Sequence, residues 1–156
     1  MKPRTLDRAL MTACVAGILV STYTLYVEMS IETVPDYQAM CDISEHASCS
    51  RVLSSEYAKG FGLISDESPF HIPNCIYGTA FYCIMVLLST FDQLLVVRFQ
   101  LLLAANSLLM SGYLGYLLAF VLHDLCIVCV STYIVNMALA ILVYKKANLL
   151  AEKKKK

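Results

Sequence analysis

The chain has 156 residues, no net formal charge, 58% hydrophobic residues, 15% charged residues and a mean hydropathy of +0.64. A soluble domain carries about a quarter charged residues. This composition therefore excludes an ordinary water-soluble globule, leaves room for one domain only, and gives no reason to expect a nucleic-acid partner.

Four uncharged stretches approach the ~20 residues that cross a bilayer. The first is 9–27. It is too long for a signal-peptide core and has no clear small-residue cleavage site, so a retained span is expected. Residues 28–71 follow as a polar, acidic segment holding Cys41 and Cys49. The second stretch is 72–91, with Pro73 and Asn74 at its start. The third is 99–122 and the fourth 125–144. Each is expected to be helical, because a spanning segment must satisfy its own backbone hydrogen bonds. The expected fold is an all-α integral membrane protein with a four-transmembrane-helix bundle in a single domain covering 1–156. In the third stretch Ser107, Ser111, Gly115 and Ala119 recur every four residues, a small-residue seam that lets helices approach closely.

Ten of the twelve basic residues fall at the N-terminus, at Arg98 and in the C-terminal tail; only Arg51 and Lys59 lie on the other side. Glu28, Glu32, Asp36, Asp42, Glu45, Glu56, Asp66, Glu67 and Asp124 gather with those two. The positive-inside rule then places both termini in the cytoplasm and 28–71 in the lumen or outside. Residues 153–156 are all lysine. A cytoplasmic dilysine of this kind is an address for retention in the endoplasmic reticulum, and equally a polybasic anchor for anionic lipid or an appended tail.

Seven cysteines without zinc-ribbon spacing suggest redox chemistry. Cys126 and Cys129 form a Cys-x-x-Cys at the start of the fourth stretch. At a helix N-terminus the dipole favours thiolate, and the two sulfurs are close enough to bridge. The same spacing also serves a structural bridge or half of a metal site. Cys41 and Cys49 form a second pair, open to the same readings, and a four-cysteine zinc site fits a polar loop poorly. At ~100° per residue Cys126 and Tyr133 nearly coincide, with Cys129 between them. A pocket on that face is expected to meet both sulfurs at its mouth and the phenol about two turns down. Asn74 lies at similar depth, and Phe81 and Tyr82 would add aromatic walls for a flat apolar ligand. Cys14 and Cys83 fall in mid-span and read as core packing, while Cys75 reads as a bystander near the rim.

These residues resemble the vitamin K epoxide reductase family. The resemblance is carried by Ala-Met-Cys-Asp-Ile at 39–43, Ser-Cys-Ser-Arg-Val-Leu-Ser-Ser at 48–55, Gly-Phe-Gly-Leu at 60–63, Asn-Cys-Ile-Tyr-Gly at 74–78 and Asp-Leu-Cys-Ile-Val-Cys-Val-Ser-Thr-Tyr at 124–133. It implies a four-helix bundle around a quinone pocket, capped by the lumenal loop. It implies that Cys126 and Cys129 are the active pair, with Cys129 facing the quinone. Cys41 and Cys49 become a shuttle: Cys49 exchanges with Cys126, and Cys41 with a thioredoxin-fold lumenal oxidoreductase. Asn74 and Tyr133 would bind substrate oxygens. Residues 50–55 and Phe61 belong to the cap and its membrane anchor, and Leu53 and Tyr57 are further candidate substrate-binding residues.

The implied activity is thiol-dependent reduction of vitamin K epoxide to the quinone and of the quinone to the hydroquinone. No tightly bound cofactor and no metal are expected, and coumarin-type inhibitors are candidate ligands. The same residues would serve a quinone-linked disulfide-generating oxidase, and a non-enzymatic tetraspan scaffold would use the pairs as staples. Cys75 stands where the family often has Ser, Tyr57 where Trp is common, and 64–73 is several residues short.

Overall fold

The computed structural model describes residues 3–44, 46–65 and 67–155. Of the charges counted above, Lys2, Glu45, Asp66 and Lys156 lie outside these residues. Four long or apolar helices carry the architecture: α1 (Pro3–Thr33), α3 (Asn74–Ser89), α4 (Leu94–Leu117) and α5 (Ile127–Lys155). A short helix, α2 (Cys49–Leu53), sits in the segment between α1 and α3, followed by single 3-10 turns at Glu56–Ala58 and Gly60–Gly62. Among the described residues there is no strand, only isolated bridges between Ser44 and Ala47 and between Lys59 and Pro73.

Among the described residues three helices are long and apolar enough to cross a membrane: Thr5–Thr33, Leu94–Leu122 and Ile127–Lys154. The 16-residue α3 is apolar but shorter. Leu19, Leu95, Leu102, Leu109 and Ile134 point outward with more than 60% of their surface exposed, which suits lipid and not water. The chain is a multi-pass membrane protein.

The uncharged stretches mark less than the full helices. α1 runs past Val27 to Thr33. No backbone-breaking residue intervenes before Pro35, and a residue preceding proline is pushed out of the α region. Glu28 and Glu32, expected in a loop, are therefore helical. α3 starts directly after Pro73. α4 ends in a π-helical turn, Leu118–Leu122, and His123 then takes a left-handed conformation (φ 52°) that stops the helix. Such wide turns often sit beside functional residues.

α5 packs against both α1 and α4, α1 packs on α3, and α3 touches α4 only sparsely. One end of the bundle is fixed by Lys146, which is 4% exposed. Its Nζ lies 2.9 Å from Asp7 Oδ1 and 3.1 Å from Asp92 Oδ1. The start of α1, the α3–α4 link and the distal part of α5 thus share one end. The 34–73 segment and the turn before α5 occupy the other.

Two apolar clusters fill the bundle. One, with Leu10, Cys14, Tyr82, Met85 and Leu139, lies toward the Lys146 end. The other gathers Val27, Cys41, Cys49, Val52, Leu118 and Cys126. Cys14 packs in the core as expected, but Cys83 is exposed on the outer face. Cys83 follows the fully buried Tyr82, and one step of ~100° turns it away from the core.

Candidate active site

The N-terminus of α5 is built on a sulfur. Cys126 precedes the helix, and its carbonyl accepts the first helical hydrogen bond from Val130 N–H at 3.0 Å. Its Sγ accepts from Cys129 N–H at 3.4 Å, the place where a serine or aspartate cap would act. The Cys126 and Cys129 sulfurs are 2.7 Å apart, with Cys129 as donor. The hydrogen bond from Cys129 and the backbone N–H groups at this helix start favour thiolate at Cys126.

Cys41 and Cys49 form a disulfide with a Cα–Cα distance of 5.7 Å. Asp42 organises the turn that holds it. Its carboxylate accepts from Ala39 N–H (3.0 Å), Ser50 N–H (2.9 Å), Ser48 Oγ (2.9 Å) and Ser50 Oγ (2.6 Å). Burial works against this charge, but the hydrogen bonds from Ser50, Ser48 and Ala39 outweigh it and hold the carboxyl below its ordinary value of 3.8. A depressed folded-state pKa stabilises the turn above the unfolded value and ceases to do so as pH falls through the folded one. Protection of the 39–50 turn against phosphine reduction is expected to be flat from neutral pH to about 4 and to drop below it. An unchanged reduction rate at pH 2–3 would count against Asp42 as the organiser.

Two contacts dock this turn onto the start of α5. Leu125 N–H donates to His46 O at 2.9 Å. Arg51 grips Asp124 with two bonds, Nε to Oδ2 at 2.9 Å and Nη2 to Oδ1 at 2.6 Å. All four cysteines consequently belong to one cluster, with Cys41, Cys49 and Cys126 buried and Cys129 at its margin. The Arg51 side chain is 52% exposed, so the grip is worth only about 0.5–1 kcal/mol. Asp124→Asn is expected to lower the unfolding free energy by no more than this, yet to speed reduction of Cys41–Cys49 by a water-soluble thiol. Stopped-flow thiol titration measures it.

Beside the cluster lies a cavity of about 390 Å³, within the range of small-molecule sites. Cys129, Tyr133, Asn74, Phe81, Tyr82, Leu53 and Tyr57 all line it, which brings together every residue expected to bind a ligand. Its walls include α3 and α4, so it lies where those helices touch least. One expectation fails: Cys126 is not on the wall. It is fully buried and turned into the cluster with Cys49. Helical phase does not apply to its sulfur, because Cys126 is a cap and not a helical residue.

Asn74 is fixed by the segment it faces. Its Oδ1 accepts from Phe61 N–H at 2.8 Å and its Nδ2 donates to Tyr57 O at 2.6 Å. Gly60, Phe61 and Gly62 all have positive φ (54°, 59° and 66°). A side chain at Gly62 would strike the Tyr57 ring, so this left-handed turn depends on glycine on both sides of Phe61. The turn directs Phe61 onto Tyr77, with ring centroids 5.2 Å apart.

Tyr133 makes no hydrogen bond among the described residues, and its ring lies against Gly115, where a Cβ would sit 3.6 Å away. The small-residue seam of α4 is thus shared: Ser111 accepts from Asn136 Nδ2 at 2.8 Å, while Ser107 and Ser111 also border the cavity. Tyr82 is fully buried and donates to Asn136 Oδ1 at 2.9 Å. Among the described residues no group of three or more His, Cys, Asp or Glu could hold a metal ion.

Sequence reasoning missed one pair. Cys75 Sγ donates to Glu28 Oε2 at 3.0 Å, and both line the cavity. Glu28 had the signal of an acid within a helical turn of the apolar stretch, but was read as the first loop residue.

Residues 8–144 match the sequence model of the family described as the Vitamin K epoxide reductase family. The chain belongs to the vitamin K epoxide reductase family. It is 37% identical over 151 residues to the rat protein named Vitamin K epoxide reductase complex subunit 1, covering 92% of this chain and 91% of the rat protein. It is 37% identical over 141 residues to the mouse protein of the same name, covering 85% of each. Membership in the vitamin K epoxide reductase family makes the chain an oxidoreductase.

Proposed function

We propose that the protein reduces vitamin K epoxide to the quinone, and the quinone to the hydroquinone, with electrons passed inward through two cysteine pairs. The observation that carries this reading is the division of the four sulfurs. They share one cluster, yet only Cys129 borders the cavity. Electrons enter at Cys41–Cys49 from a thioredoxin-fold lumenal partner. The freed Cys49 thiolate attacks Cys126 in its oxidised pair, which releases Cys129 as the thiolate facing the substrate. Cys41 then attacks Cys49, which reforms the Cys41–Cys49 disulfide and frees Cys126; Cys129 attacks the ring, and Cys126 resolves the adduct, forming Cys126–Cys129 again. Tyr133, with its hydroxyl open, donates to the substrate oxygen as an oxyanion-hole group does. Asn74, at the start of α3, shapes the same wall by holding the cap turn at Tyr57 and Phe61, and Leu53, Tyr57, Phe81 and Tyr82 sandwich the rings. An apolar tail on the quinone leaves through the loose α3–α4 contact into lipid.

In this reading α3 is the fourth span, and residues 34–73 form a lumenal cap over the cavity. Both termini are cytoplasmic and the membrane is that of the endoplasmic reticulum. The grouping of Asp7, Asp92 and Lys146 at one end supports a common side for both termini. The test is turnover of vitamin K epoxide by membranes containing the protein, with a dithiol as reductant and a coumarin as inhibitor. Epoxide consumption with appearance of a trapped Cys49–Cys126 disulfide supports the relay. A single fixed Cys41–Cys49 bridge without turnover would leave a scaffold with a structural staple.

A further inference from the structure

The cavity needs a source of protons as well as electrons. Reduction of an epoxide by a dithiol takes two electrons from the Cys126 and Cys129 sulfurs and joins them in a disulfide. Both carbon–oxygen bonds of the epoxide break, and its oxygen leaves as water. Two protons must therefore reach that oxygen, and in total the two thiols supply them. A side chain on the cavity wall can carry them from the sulfurs to that oxygen.

Hydrogen-bond accounting narrows the choice. Thr24, Ser55, Ser107 and Thr132 each donate to a carbonyl of their own helix or turn. Tyr77 donates to Phe70 O and Tyr82 to Asn136. Glu28 differs. It is only 5% exposed and sits on the cavity wall with Cys129 and Tyr133. One carboxyl oxygen accepts from the Cys75 thiol, while Oε1 is buried with no partner at all. An unpartnered buried carboxyl oxygen is costly and uncommon, and it calls for an explanation. A carboxylate and a substrate oxygen are both acceptors, so they can meet only through a proton on the carboxyl.

We propose that Glu28, oriented by the Cys75 thiol, is the proton carrier of this cavity, giving a proton to the substrate oxygen as the carbon–oxygen bond breaks and recovering one from the Cys126/Cys129 pair. The carboxyl ends each cycle as it began, so electrons and atoms balance without another reactant. Cys75 is a positioning residue: it holds Oε2 and leaves Oε1 as the carboxyl oxygen without a partner.

This role rests on the reductase reading above, and two variants in the full-length membrane protein separate it from a packing role. Glu28→Gln keeps the shape and the acceptor for Cys75 but carries no transferable acid proton. Glu28→Asp keeps the acid but shortens the arm. Proton transfer typically contributes on the order of 10²–10⁴-fold. Glu28→Gln is expected to lower kcat for vitamin K epoxide about 100-fold with KM within about twofold. Glu28→Asp is expected to retain at least about tenfold more kcat than Glu28→Gln, with a solvent deuterium isotope effect still present. A packing role predicts the reverse order, because the isosteric amide disturbs the wall less. Glu28→Gln turning over as fast as Glu28→Asp, or losing only KM, would overturn the assignment. Wild-type protein without epoxide turnover would overturn the reductase reading together with it.

Discussion

Cys129→Ala is expected to lower epoxide turnover on the order of 10³-fold or more, while leaving the fold and the Cys41–Cys49 bridge intact. Cys129 is the one redox-pair sulfur on the cavity wall, so its loss removes the attacking nucleophile. Cys126→Ala should behave differently. Cys126 faces the cluster and not the cavity, so its removal spares the first attack and blocks resolution. A single-turnover experiment separates the two: Cys126→Ala is expected to trap a substrate adduct on Cys129, and Cys129→Ala to trap none. Turnover by Cys129→Ala within tenfold of wild type would move the nucleophile elsewhere.

Asn74→Ala is expected to release the turn over the cavity. The amide satisfies Phe61 N–H and Tyr57 O together, at 2.8 and 2.6 Å. Each backbone group left unpaired in a partly buried site costs about 1–3 kcal/mol. The left-handed Phe61, itself disfavoured by about 1–2 kcal/mol, loses the bond that holds it. Faster amide hydrogen exchange over residues 57–62 and a higher KM for epoxide should follow, with kcat less affected. Asn74→Asp still accepts from Phe61 N–H but sets a carboxylate against Tyr57 O, so it should fall between alanine and wild type. Exchange in Asn74→Ala no faster than in wild type would show that the glycines alone fix the turn.

Much of the site was legible in the chain because its signals are local. Cys-x-x-Cys at the edge of an apolar stretch specifies both a helix start and a sulfur pair. Asp42 and Ser48 lie between Cys41 and Cys49 and Ser50 follows directly, and these short polar side chains build the turn without distant help. Periodicity placed Cys129 and Tyr133 on one face, and both line the cavity. Periodicity failed at Cys126 because a cap sulfur does not follow helical phase. Mid-span position misjudged Cys83 because an apolar helix has no polar stripe to show which side meets lipid, a point decided by the neighbouring helices.

The sequence by itself determined a membrane chain with uncharged stretches of spanning length and two cysteine pairs set near its polar segments. Apolar length and residue spacing are one-dimensional quantities, and lipid leaves the backbone little choice but helix. Only the tertiary structure decided which sulfur meets the cavity and which meets its neighbours. It also decided that Asn74 binds the turn above it, and that Glu28 and Cys75, 47 positions apart, touch inside the wall. Those outcomes depend on the rotation and approach of α1, α3 and α5 about one another. That geometry is set by side-chain packing across the whole bundle, which no local pattern encodes.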